Sequence, residues 1–245
     1  MVEENKESLA ETGARLFERK SLEAVEKQGR FLVALAGGSS PRGMHRRLGV
    51  LPSIPWQDLH IFWGDERCVP VDDPSSNYGA AWADFIGRVP VPAEQIHPMP
   101  GHETPQKGAL LYEKELRQVF DLQEPHVPVF DLIVLGLGKD GHTASLFPGH
   151  PSVKETEALV VAVKGGDPDV HRLTFTFPVI NAARGVMFVV SGKDKAGVVK
   201  AVIEDQEETR PASKVLLSSG DQTWLLDREA ASLLKEATLS AFSCG

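Results

Sequence analysis

The chain has 245 residues, near the upper end of what one hydrophobic core supports, so a single domain over residues 1–245 is expected. Its 42% hydrophobic and 24% charged residues, with 22 Gly and 17 Pro, describe an ordinary globular protein rich in turns and exclude disorder, coiled coil and collagen. Against 26 Lys and Arg stand 34 Asp and Glu, a net charge of −8 with no basic tract to offset it, which excludes nucleic acid as an expected partner.

The longest apolar stretches, residues 31–36, 132–137 and 159–163, fall far short of the ~20 residues that cross a bilayer, so no membrane partner is expected. The first residues carry Glu3, Glu4 and Glu7 and lack the apolar core of a secretory signal, which points to a cytoplasmic protein. Cys68 and Cys244 lie far apart without a CxxC pair, and eight histidines scatter without HxH or HExxH spacing. Neither a disulfide framework nor a metal site is expected.

In chain order, residues 6–28 place Leu9, Leu16, Leu22 and Val25 among charges at helical spacing, with Gly29 as the stop. After Arg30, residues 31–36 form a continuous apolar run of the kind that suits a strand covered on both faces, followed by Gly-Gly-Ser-Ser-Pro and a helix around residues 44–48. The pattern repeats with a strand at 59–63, helices at 76–86 and 106–120, and a strand at 131–135. Further strands are expected at 159–163, 173–177, 185–190 and 222–226, with helices at 193–203 and 227–236. The Pro-rich stretch 88–104 reads as a surface connection, and the acidic run 204–208 as a solvated helix end or loop. Strands alternating with helices argue for an α/β protein, a mainly parallel sheet with helices on both faces.

In open α/β sheets, sites form outside the carboxyl ends of the strands, so the loops there carry the chemical information. The segment Gly37-Gly38-Ser39-Ser40-Pro41-Arg42 leads from a strand into a helix. It reads equally as a phosphate cradle built on a helix N-terminus or as a tight turn with Ser39 or Ser40 as cap. The stretch 136–141 matches GxGxxG, but Pro148 and Gly149 follow too soon for the long helix a dinucleotide fold requires, so that reading is set aside. His142 follows directly, a group able to accept and return a proton near neutral pH. Asp65, Glu66 and Arg67 end another strand, able to orient an imidazole, to clamp an oxyanion or simply to pair at the surface. Cys68 has no evident base beside it, and no GxSxG elbow supplies a serine nucleophile. Lys193 and Lys195 begin a helix after residues 185–190, and Arg172 precedes another strand; each can add positive charge to an anion site.

Taken together, these stretches resemble the glucosamine-6-phosphate isomerase/6-phosphogluconolactonase superfamily. The resemblance rests on residues 36–41, on Trp63-Gly64-Asp65-Glu66-Arg67 with Ser76-Asn77-Tyr78, and on the long stretch 136–149. Arg172 with Thr174, Asn181 and residues 192–196 extend it, so that it spans about residues 30–200. It implies a three-layer α/β/α fold with a Rossmann-like sheet, and cofactor-free hydrolysis of 6-phospho-D-glucono-1,5-lactone in the oxidative pentose phosphate pathway.

It further implies His142 as catalytic base, with Asp65 and Arg67 as the acidic and basic active-site residues. Gly38, Ser39, Arg172 and Lys195 fall on or near positions that hold the sugar phosphate, and Gly37, Arg42, Asn77, Gly138, Asp140 and Lys193 are expected beside them as substrate- or phosphate-binding residues. Ser40 stands where many relatives carry Thr, and residues 144–148 lack the Ala-Phe-Asn-Glu-Pro pattern of the deaminases, which favours the lactonase. An amino-sugar-phosphate isomerase or deaminase and a non-catalytic sugar-phosphate sensor are the alternatives. Asp65, Glu66 and Asp140 all stand as partners for the imidazole.

Overall fold

The computed structural model describes residues 1–166 and 169–243, so Cys244 lies outside the described residues. Strand β1 (Val2–Glu3) precedes helix α1 (Lys6–Gln28), which Asn5 caps by accepting from the N–H groups of Glu7 and Ser8 and which ends at Gly29. Then come β2 (Phe31–Leu35), α2 (Ser39–Leu48), β3 (Leu59–Trp63), β4 (Asp65–Arg67), α3 (Asn77–Asp84), β5 (Ile96–His97) and α4 (Pro105–Val119). The second half runs β6 (Leu132–Leu135), β7 (Val160–Gly165), β8 (Val170–Phe175), α5 (Phe177–Ala182), β9 (Gly185–Val190), α6 (Ala196–Ile203), β10 (Asp221–Asp227) and α7 (Glu236–Ser243).

Seven strands form one parallel sheet in the order β1-β10-β9-β6-β2-β3-β5. Every residue of β2, β6 and β9 is buried, as their continuous apolar sequences require of strands covered on both faces. Helices α1 and α2 pack on each other and against β2, β9 and β10. The architecture is the expected three-layer α/β/α arrangement around a parallel sheet.

Several segments differ from the sequence-based expectation, among them residues 88–104, expected as a surface connection, within which β5 pairs with β3 at the edge of the parallel sheet. Residues 159–163 and 173–177 do not extend the parallel sheet; β7 and β8 pair antiparallel with each other, and β8 pairs antiparallel with β4 in a separate small sheet. Four residues separate β7 from β8, too few for the crossover that a parallel pair needs. The helix expected over 227–236 is a series of turns, with α7 starting only at Glu236. The buried Asp227 carboxylate there accepts the N–H groups of Gly192 and Ala230 and so ties the strand end into a turn. Helix α2 begins earlier than expected, with Gly38 rather than a serine at the cap and Ser39 as its first residue.

The chain runs β2 to β3 to β5 on one side of the sheet and then returns to lay β6 on the other side of β2. The loops leaving β2 and β6 therefore diverge at their carboxyl ends, and a crevice opens between them.

Candidate active site

That crevice is a cleft of about 1040 Å³, walled by the loops after β2, β6 and β9 and by the small sheet. Gly37, Gly38 and Ser39 line it where β2 leads into α2, whose first-turn N–H groups, without a side-chain cap among the described residues, make a positive corner. Arg42 does not line it. Its guanidinium grips Asp84 of α3 through Nε at 2.6 Å and Nη2 at 3.0 Å, which fastens α2 to α3. The GxGxxG stretch starts no helix; it is a turn closed by bonds from Gly138 N to His142 O and from Gly141 N to Gly138 O.

That turn folds His142 back over its own backbone. The Nδ1 of His142 sits 2.6 Å from Asp140 Oδ1, which also accepts the His142 main-chain N–H at 3.1 Å. The close fold needs glycine at 138, because a Cβ there would run into the imidazole. Burial pushes the Asp140 carboxyl up, but the His142 ring and the N–H bonds outweigh it and hold the group below the usual carboxylate range. A carboxylate only accepts, so the shared proton sits on Nδ1, and in the neutral ring Nε2 is the nitrogen that holds the lone pair. Of the three carboxylates the sequence offered, Asp140 is thus the one that meets the imidazole.

Opposite lies the small sheet. Its register sets Arg67 across from Arg172 and Asp65 across from Thr174, and both arginines line the cleft. Arg67 Nη1 donates to the Ser75 carbonyl at 2.8 Å and to Asn77 Oδ1. Asn77 in turn donates through Nδ2 to the Asp65 carbonyl and carboxylate, so Asp65 orients Arg67 through the amide. Glu66 is buried and accepts the N–H groups of Arg67, Asn77 and Tyr78, each at 2.7 Å, together with the Ser76 hydroxyl. Burial pushes its carboxyl upward, and its role is to pin the start of α3 so that Asn77 faces Arg67. Gly37 admits the Asn77 amide, which a Cβ would displace.

Arg172 is buried and donates from Nε to the Gly165 carbonyl at 2.9 Å, while its guanidinium carbon lies 5.7 Å from the centre of the Phe147 ring. Burial and the nearby Arg67 charge pull its guanidinium below its ordinary value. Two like charges held side by side in a partly dry wall favour an anion between them. Lys195 lines the cleft and reaches the Leu137 carbonyl at 2.7 Å, its ammonium lowered by burial. Lys193 stands apart, exposed and off the cleft wall. Burial and Glu66 push the Cys68 thiol up to about 11, so it carries no thiolate at neutral pH.

The sequence reading missed Ser145, which is buried and donates to Asp65 Oδ2 at 2.7 Å, and Phe147, whose ring leans on His142 with centroids 4.9 Å apart. Both sit in the stretch 136–149 already singled out, but nothing in their spacing tells which partners they meet. Among the described residues no group of His, Cys, Asp or Glu could hold a metal ion, and no helix is long and apolar enough to cross a membrane.

Comparison with known proteins gives a consistent match. The family model described as glucosamine-6-phosphate isomerases/6-phosphogluconolactonase matches residues 4–224. A 6-phosphogluconolactonase from Synechocystis sp. is 38% identical over 234 residues, covering 94% of this chain and 96% of the relative. The human 6-phosphogluconolactonase is 42% identical over 211 residues, covering 84% and 81%. Among solved structures, 6-phosphogluconolactonase from Trypanosoma brucei superposes with a TM-score of 0.86 at 31% identity, over 96% of this chain and 98% of that one. A match to the family model across nearly the whole chain, with these relatives, means that the chain belongs to the glucosamine-6-phosphate isomerase/6-phosphogluconolactonase family.

Proposed function

We propose that this protein hydrolyses 6-phospho-D-glucono-1,5-lactone to 6-phospho-D-gluconate, the lactone-opening step of the oxidative pentose phosphate pathway. The observation that carries the reading is the Asp140–His142 pair at the carboxyl end of β6, in one cleft with Arg67 and Arg172. Hydrolysis of a lactone needs a base for water, a donor set for the oxyanion and a proton for the departing ring oxygen. That pair and those guanidiniums supply all three.

In this mechanism Nε2 of His142 takes a proton from water as the oxygen attacks the lactone carbonyl carbon. Asp140 holds the ring in the required tautomer and stabilises the imidazolium that forms. Arg67, locked by Ser75 and Asn77, faces the charge that develops on the carbonyl oxygen. The tetrahedral intermediate collapses with cleavage of the bond to the ring oxygen, which receives the proton back from Nε2, and the new carboxylic acid ionises to the medium. Arg172, Lys195 and the first-turn N–H groups behind Gly38 and Ser39 hold the phosphate, so that the binding energy of a remote group positions the ring. A phosphorylated sugar does not cross a bilayer, so enzyme and substrate share a compartment, which we take to be the cytoplasm.

The test is the hydrolysis rate of freshly generated lactone, corrected for spontaneous opening, for wild type and His142→Asn. Fast wild-type turnover that falls at least ~100-fold in the variant is expected, the low end for loss of a general base. Tight phosphosugar binding without turnover by wild type would instead make the protein a sensor, and ammonia release from glucosamine 6-phosphate would make it a deaminase.

A further inference from the structure

Far along the chain from Asp140, Arg210 lies against the loop that carries Asp140 and His142. Its Nη1 donates to the Asp140 carbonyl at 2.9 Å, and its Nε is held by Glu207 Oε2 at 2.9 Å. Its side-chain carbons lie against Gly141, where φ is +85° and a Cβ would come within 2.6 Å of Arg210 Cδ. Two residues on, the Ala212 N–H donates to the Gly141 carbonyl at 3.0 Å. Residues 207–212 therefore strap both carbonyls that bracket the peptide link between Asp140 and His142. That link sets how the Asp140 carboxylate meets the imidazole, because the same Oδ1 accepts from the ring and from the His142 main chain.

We infer that Arg210 is a positioning residue for the proposed hydrolysis, acting through the Asp140 carbonyl to hold the Asp140–His142 pair in its reactive geometry. It does not line the cleft, so it touches no substrate and its loss should leave ground-state binding alone. A peptide plane free to rock by a fraction of an ångström misaligns the base, and such displacements are felt steeply in the transition state. The inference rests on the lactonase reading for its kinetic arm and on the loop geometry alone for its second arm.

Three variants separate the parts of the contact. Arg210→Met keeps the packing stem and removes the guanidinium, Arg210→Ala removes both, and Arg210→Lys keeps a donor. The expected result is a drop in kcat of about 10-fold in Arg210→Met with KM changed less than about 2-fold, and partial recovery in Arg210→Lys. A wild-type kcat in Arg210→Met, or a rise in KM that accounts for the whole loss, would overturn the inference. The second arm is amide hydrogen exchange of His142, whose N–H is bonded to Asp140 Oδ1. Exchange about 10-fold faster in Arg210→Met, with global stability unchanged, supports the role, and unchanged exchange overturns it. Because exchange needs no turnover, an inactive wild type would sink the lactonase reading while the exchange comparison still decides the role of Arg210.

Discussion

Ser145 Oγ donates to Asp65 Oδ2 across 2.7 Å, joining the loop that carries His142 to the strand that carries Arg67. Both residues are buried, and the Ser145 N–H is further tied to the Thr174 hydroxyl at 3.1 Å. The proposed base and the proposed oxyanion donor thus come from different sheets but share one polar bridge. Ser145→Ala strips a donor from a buried carboxylate, which costs about 1–3 kcal/mol. The variant should melt at lower temperature and lose several-fold in kcat, as the two walls of the cleft drift apart. In a double-mutant cycle with Asp65→Asn, measured by urea unfolding, the two changes should be less than additive. Strict additivity would mean that the bridge carries no energy.

The proposed mechanism gives Arg172 and Lys195 to the phosphate, and the substrate itself offers the control. Arg172→Ala and Lys195→Ala should each cut kcat/KM for the phosphorylated lactone by ~10–100-fold, the worth of a charge-assisted bond. Hydrolysis of unphosphorylated glucono-1,5-lactone should change little. Equal losses on both substrates would place these side chains in the chemistry or the fold rather than at the phosphate.

The sequence made some of this plain and hid the rest for physical reasons. Strands β2, β6 and β9 are covered on both faces, so their apolar runs stand out, and the loops after β2 and β6 follow directly as the walls of the site. The small sheet was hidden because β4 is three residues long, and its pairing with β8, which sets Arg67 opposite Arg172, has no local signature. Chemical type also fails to tell roles apart. Asp65, Glu66 and Asp140 are all carboxylates, yet one steadies Asn77, one pins a helix start and one meets the imidazole, according to which N–H groups the fold brings near. Arg42 looked like a phosphate ligand because it follows a glycine-rich turn, but it reaches across from α2 to Asp84 of α3.

That same α2–α3 contact contains an acid-sensitive element away from the proposed chemistry. His45 is buried on α2 beside Phe85, and neither ring nitrogen has a hydrogen-bond partner among the described residues. Burial, reinforced by Arg42 and Arg46 and only partly countered by Asp84, lowers it from 6.5 to about 4. A histidine whose folded value lies below its unfolded one binds its proton more readily when unfolded. Its neutral form therefore contributes no penalty above about pH 6.5, and stability falls as the pH drops from there to about 4. The loss accumulated over that window is about 3 kcal/mol, at 1.36 kcal/mol for each unit of difference. His60, lowered to about 4 by burial and by His97, titrates over the same range and adds to the slope. Unfolding free energies of wild type and His45→Leu from pH 7 to pH 4 should diverge steadily, with the variant the flatter of the two and His60 and the carboxylates accounting for its remaining slope. Parallel curves would show that His45 keeps the same proton affinity folded and unfolded.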